Sequence, residues 1–140
     1  MIERTLAIVK PDAVSRHQIG AVIARYETAG FRILGLRMVQ LTQAQAEGFY
    51  AVHRQRPFFA SLTRFMASGP VVALILEAED IIRRHRDLMG ATDPKQAAPG
   101  TLRKDLGTDI EHNVVHGSDS AVTAAVEIPF FFSGLEVGGG

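Results

Sequence analysis

The order of apolar patterns in this chain predicts an α/β fold: a four-stranded sheet in a βαββαβ frame with added helices. Three observations carry that reading. The runs TLAIVK at 5–10 and PVVALILE at 70–77 are apolar and rich in β-branched residues, as strands buried within a sheet are. Segments with apolar residues at helical spacing separate them. The chain's 140 residues, 46% apolar and 21% charged, suit a single domain over 1–140 with one core.

TLAIVK ends at Pro11, which suits a strand stopping before a turn. From 18 to 29, Ile19, Val22, Ile23, Tyr26 and Ala29 recur at helical spacing and Gly30 supplies the stop. A strand over 32–41 follows, and then Thr42 stands as N-cap of a helix over 43–52. PFFASLTRFMASG is a helix bounded by Pro57 and Gly69. PVVALILE reads as the central strand, and EDIIRRHRDLMG as a short helix. TDPKQAAPGTLRKDLGTD, with its prolines and glycines, reads mostly as loop. A short strand leads to His116, Ser118 or Asp119 caps a helix over 120–128, and the tail at 134–140 is expected to fray. Taking the two helices after the second strand as one crossover gives a sheet covered on one face, with no plain hairpin between strands two and three.

The formal net charge is zero, which removes the cationic bias of a dedicated nucleic-acid coat. Cysteine is absent, so disulfides, thiolate metal sites and cysteine nucleophiles are excluded. The N-terminal apolar run is too short for a signal sequence, and no run approaches the roughly 18 residues of a membrane span. A cytoplasmic location without membrane attachment is the expectation.

Chemistry is suggested by scattered groups. Lys10, at the carboxyl end of the first strand, is either a solvated strand end or a point charge placed over a phosphate. Neither GxxxxGK[ST] nor GxGxxG occurs. Cationic groups come instead from RRHRD at 83–87 and TLRKD at 101–105, where Arg86 and the loop residue Arg103 are able to converge on phosphates with the Thr92 hydroxyl. His112 and His116 are four apart, but NVVHG argues for extended chain, which does not bring such a pair together. No protein-ligated metal site is expected, although magnesium is able to arrive on phosphates. Asp119 is expected to cap the last helix rather than touch substrate. Gly117 is expected to leave room for an approaching phosphate.

Over nearly its whole length the chain resembles the nucleoside diphosphate kinase family. The resemblance rests on LAIVKPDAV, GFRILGLRMVQLT, FYAVHRQRPFF, FMASGPVVALILE, LMGATDPKQAAPGTLR and NVVHGSDSAVTAAVEIPFFF, of which NxxHGSD is the most specific. It implies a ferredoxin-like α/β sandwich with a four-stranded antiparallel sheet, and a homo-oligomer, tetramer or hexamer. It implies transfer of the terminal phosphate of a nucleoside triphosphate, typically ATP, to ribo- and deoxyribonucleoside diphosphates by a ping-pong mechanism through a phosphohistidine.

By the same resemblance His116 is phosphorylated on Nδ1, and Glu127 orients its ring with help from Ser118. Lys10, Arg86, Thr92 and Arg103 clamp phosphates, and Tyr50 supports Lys10. Phe58 stacks on the base, Asn113 and Lys10 reach the sugar hydroxyls, and Mg2+ bridges the phosphates. The physics agrees, because phosphoryl transfer needs alignment and countercharge more than covalent machinery. Leu106, Gly107 and Ala78 depart from common family residues, and none is a proposed catalytic group. A single-stranded nucleic-acid binder would carry aromatics on its sheet. TLAIVK and PVVALILE have none, so nucleic acid is not expected as the main ligand.

Overall fold

The computed structural model describes residues 1–133. Its elements in chain order are β1 (Ile2–Val9), α1 (Pro11–Ser15), α2 (Ile19–Thr28), β2 (Arg32–Val39), α3 (Gln43–Phe49) and a 3-10 turn (Ala51–His53). Then come α4 (Phe59–Met66), β3 (Val71–Glu79), α5 (Ile81–Met89), a second 3-10 turn (Pro94–Gln96), α6 (Leu102–Leu106), β4 (Val115–Gly117) and α7 (Ala121–Phe131). The tail expected to fray at 134–140 lies outside the described residues.

The sheet has four strands in the order β2-β3-β1-β4, and every neighbouring pair is antiparallel. The two longest apolar runs of the sequence therefore sit side by side at its centre, with Leu6 opposite Ile75 and Val9 opposite Val72. Side chains alternate between faces along each strand. Ala7, Val9, Val72, Leu74 and Leu76 accordingly pack with Val22, Tyr26, Ile81 and Leu102, from α2, α5 and α6. Leu6, Ile8, Ala73 and Ile75 pack on the other side with Ala46, Met66, Phe131 and Phe132.

Both faces are thus covered, which corrects the expectation of a sheet covered on one face. The reason is in the strands: a continuous apolar run leaves no polar side to face water.

Thr42 caps α3 as expected, in a reciprocal capping box with Gln45. The turn expected after Lys10 is instead the short helix α1, whose first residue is Pro11; proline is favoured there because its missing N–H lacks a helical partner anyway. The cap of α7 is Ser120, in a capping box with Thr123, and not Ser118 or Asp119. Ser118 is withdrawn from that role by its own bonds to Leu6 and Glu127. α7 also runs past Ile128 through Pro129 to Phe131, held at its end by the burial of Phe131 and Phe132.

Gly107 explains one departure from the family pattern. A Cβ there would stand 2.6 Å from the Arg103 carbonyl oxygen and 2.8 Å from Pro94 Cγ, so this chain's packing admits only glycine. Across the sheet, Glu77 accepts from Arg4 on β1 and Arg32 on β2, which lie opposite it in register. Those two guanidinium groups hold its carboxyl below the usual range. No helix among the described residues is long and apolar enough to cross a membrane.

Candidate active site

β4 is only three residues long and pairs with β1 alone, so its ladder cannot by itself fix His116, which sits opposite Ile8. Other contacts do so. The Ser118 N–H donates to the Leu6 carbonyl at 3.1 Å, and Leu6 N donates to Ser118 Oγ at 3.2 Å. Glu127 Oε1 accepts from Ser118 Oγ at 2.8 Å and lies 2.9 Å from His116 Nε2. An ionised carboxylate only accepts, so the imidazole proton belongs on Nε2 and the lone pair on Nδ1. Nδ1 has no partner among the described residues. The Phe49 ring meets the imidazole edge to face at 5.4 Å and limits its rotation.

Behind β4, α5 comes unusually close. A Cβ on Gly117 would lie 2.6 Å from His85 Nδ1 and 2.7 Å from Met89 Cε. The glycine serves this close approach of helix and strand, which replaces the expectation that it leaves room for a phosphate. His85 is 1% exposed, and its Nε2 is 2.9 Å from the Tyr26 hydroxyl. Burial, reinforced by the neighbouring His116 and the Arg103 charge, pushes it down to about 3, so the ring is neutral at pH 7.

In front of β4 is a cleft of about 980 Å³. Lys10, Tyr50, Phe58, Arg86, Thr92, Arg103, Asn113, His116 and Glu127 all line it, while Ser118 lies buried behind Glu127. Residues 117 positions apart in the chain are therefore brought to one wall of the molecule.

Lys10 is 7% exposed, which settles the choice left open by its position: it is not a solvated strand end. Its ammonium donates to Asn113 Oδ1 at 2.8 Å, and the Asn113 amide donates to the carbonyls of Thr92 and Ile110 at 3.0 Å each. Burial and the Arg103 charge lower Lys10 to about 8, against the opposing pull of Asp12 and Glu111. Tyr50 makes no hydrogen bond to Lys10. Its buried hydroxyl has no partner among the described residues, and burial raises its pKa.

The two arginines differ in kind. Arg86, near the end of α5, is largely in solvent and donates to the Asp119 backbone carbonyl at 3.2 Å. Arg103 is on α6 rather than in a loop, because Thr101 caps a helix there. It donates to three backbone carbonyls, of Gly90, Asn113 and Val115, at 3.0, 3.3 and 2.8 Å. Three of its five N–H groups thus brace the walls of the cleft, and two are left for a ligand. Burial lowers its pKa. Arg84 lies over Phe31 and donates to the Glu79 and Ala29 carbonyls.

Phe58, 46% exposed, presents a ring beside His53 at 5.5 Å, and Leu62 and Ile110 are further apolar parts of the lining. His112 is not part of this arrangement: it pairs with Asp109 and packs on Phe65. Among the described residues no three His, Asp or Glu side chains gather as metal ligands.

Sequence reading missed Phe49, His53, His85 and Asp12. Phe49 and His53 lie beside Tyr50, and that proximity was the available signal for the pair. Nothing in the pattern marked His85, whose importance comes from packing.

The peptide before His116 is strained. Val114 has φ +77°, and Val115 N donates to the Asn113 carbonyl at 2.9 Å across it, a three-residue turn. A β-branched residue held there costs about 1–3 kcal/mol.

A model of the family described as nucleoside diphosphate kinase matches residues 3–137. The nucleoside diphosphate kinase of Desulfosudis oleivorans is 60% identical over 138 residues, 99% of each chain. The solved nucleoside diphosphate kinase of Aquifex aeolicus superposes with a TM-score of 0.96 at 49% identity, covering 97% of this chain and 99% of that one. That of Halobacterium salinarum, in complex with CDP, gives 0.93 at 43% identity, covering 97% and 91%.

Proposed function

Since the chain belongs to the nucleoside diphosphate kinase family, whose members pass the terminal phosphate of a nucleoside triphosphate to a nucleoside diphosphate through a phosphohistidine, we propose that His116 is the residue phosphorylated here. The observation that carries the assignment is the Glu127–His116 hydrogen bond at the back of a cationic cleft. Glu127 keeps the proton on Nε2, so Nδ1 offers a lone pair without prior deprotonation.

In the first half-reaction Nδ1 bonds to the γ-phosphorus as the bond to the bridging oxygen breaks, and the diphosphate leaves. The second half-reaction reverses those events on a new diphosphate. Arg86, Arg103, Thr92 and Lys10 offset the charge of the transferring group and align it, and alignment with countercharge provides most of the rate. Ser118 fixes Glu127, Tyr50 walls the histidine, Phe58 stacks on the base, and Asn113 with Lys10 contacts the sugar.

Catalysis in the family depends on Mg2+. The cleft's carboxylates fit a metal that arrives with the nucleotide, because Glu127 is already engaged by His116 and Ser118 and no set of three ligands is present among the described residues. Bound to the phosphates, Mg2+ would neutralise charge that the arginines do not reach.

A stacking ring specifies no base, so purine and pyrimidine, ribo- and deoxyribonucleotides are all taken as substrates. A homo-oligomer, tetramer or hexamer, is supported by the half-exposed Leu36 and Met38 on the edge strand β2. The chain is read as one domain over 1–140 acting in the cytoplasm.

The test is incubation with ATP labelled at the γ-phosphate and no acceptor. One label per chain is expected, stable to alkali, lost in mild acid, and absent from folded His116→Ala. Turnover by that variant, or intersecting double-reciprocal lines without trapped label, refutes the assignment.

A further inference from the structure

We propose that Asp12 is a positioning residue for His116: its carboxylate holds the left-handed Val114 peptide from which β4, and with it the histidine, departs. The inference rests on the reading of His116 as phosphate acceptor. The Val114 N–H donates to Asp12 Oδ2 at 3.1 Å, and the Val114 carbonyl accepts from Lys10 N at 2.8 Å. Both peptide groups of the strained residue are thus bound by the KPD segment, which docks on the NVVH segment more than a hundred residues later.

Valine is retained at 114 despite its φ of +77° because its side chain is fully buried in the core with Val22, Tyr26 and Leu102. Glycine would remove the strain but leave a cavity. The clamp must therefore come from a neighbour. Asp12 is well suited, on a helix begun by Pro11, whose ring fixes the local backbone. Without the carboxylate a buried N–H loses its partner, and the peptide is free to rotate. That rotation would carry the Asn113 carbonyl, which Arg103 and Val115 both use, and the first residue of β4.

Asp12 also acts on its neighbour Lys10 through its charge. Asp12 Oδ1 is buried without a partner among the described residues. The charge faces Lys10, which also meets Arg103 from α6 and Glu111 from the segment before β4. Lys10 lies near 8, and Asp12 is the stronger of the two groups holding it up. Removing that charge lowers Lys10 further, so the loss of the ammonium with rising pH begins earlier.

The experiment compares Asp12→Ala with Asp12→Asn. Asparagine keeps an acceptor for Val114 N–H and loses only the charge. Single-turnover phosphorylation by ATP at pH 7 should be slowed at least about tenfold in Asp12→Ala, the effect of distorting the turn by one such increment of barrier. Nucleotide affinity should change less than about threefold, which on the same scale is below half that increment. Asp12→Asn should retain most of the rate at pH 7, with its alkaline limb moved to lower pH.

Geometry is read separately in 15N-labelled protein. The Val114 amide and His116 ring resonances should move in Asp12→Ala and stay near wild type in Asp12→Asn. If those resonances behave so while wild type takes no label on His116, the positioning stands and the functional reading falls. The proposal is overturned if folded Asp12→Ala keeps wild-type resonances and rate. It is also overturned if folded Asp12→Asn, which keeps the acceptor, moves the Val114 and His116 resonances away from wild type, a measurement that decides the matter should Asp12→Ala not fold.

Discussion

His85 makes the stability of this protein depend on pH in a calculable way. In the unfolded chain its imidazole titrates near 6.5, whereas in the fold it stays neutral down to about 3. Between those values the unfolded state holds one more proton, so stability rises with pH there. The contribution is fully present above about pH 6.5 and is lost as pH falls toward 3. Three and a half pH units at about 1.4 kcal/mol each put roughly 5 kcal/mol at stake, of which roughly 3 is already lost at pH 4.

Replacement by glutamine removes the titration and keeps a group able to bond the Tyr26 hydroxyl. At pH 7 His85→Gln should be less stable than wild type by about 1–2 kcal/mol through poorer packing. Between pH 7 and pH 4 the difference should move in favour of the variant by roughly 3 kcal/mol. Urea unfolding followed by circular dichroism at fixed protein concentration measures both. Carboxylates contribute equally to both proteins and cancel. A difference between the two that is independent of pH would refute the reasoning.

Arg86→Ala should lower turnover about a hundredfold or more while shifting stability by less than about 0.5 kcal/mol, since the side chain is largely in water; unchanged turnover would return it to the surface. Arg103→Ala should lower turnover and also destabilise by about 2–4 kcal/mol, because three carbonyls lose their donor, and a wild-type melting curve would contradict the bracing role. Gly117→Ala should cost about 1–3 kcal/mol and slow labelling of His116, as its Cβ would drive α5 from β4; both effects should shrink in a Met89→Ala background, and thermal melts with the labelling rate check this. Glu77→Gln should destabilise by about 1–2 kcal/mol with activity intact, as seen by urea midpoint and turnover, the effect being limited because Arg32 is mostly solvated.

The central strands were legible because burial on both faces demands unbroken apolar runs, and the long helices because their period is 3.6. α1 was not, since five residues starting at a proline read as a turn. The single covered face was misread from connectivity, although TLAIVK and PVVALILE already required cover on both sides. At the site, the candidate residues named from the sequence all line the cleft except Ser118. What each side chain does there was less visible. Arg103's bonds to carbonyls, the Tyr50 hydroxyl without a partner and the contact of Gly117 with His85 depend on distances between segments far apart in sequence, which no local pattern encodes.

The position of β1 in the sheet bears on how the molecule comes to be made. β1 is an interior strand, yet both its partners, β3 and the three residues of β4, are synthesised well after it. Until β3 emerges, an apolar segment with unpaired edges on both sides waits in solution, the situation in which nascent chains associate wrongly. Pairing across so many residues also closes large loops and slows folding relative to a chain of local contacts. The strand that carries His116 joins last, and Glu127 follows it, so a partly synthesised chain holds Lys10 and both arginines before it holds a nucleophile. Capacity to bind phosphate would thus precede capacity to accept it.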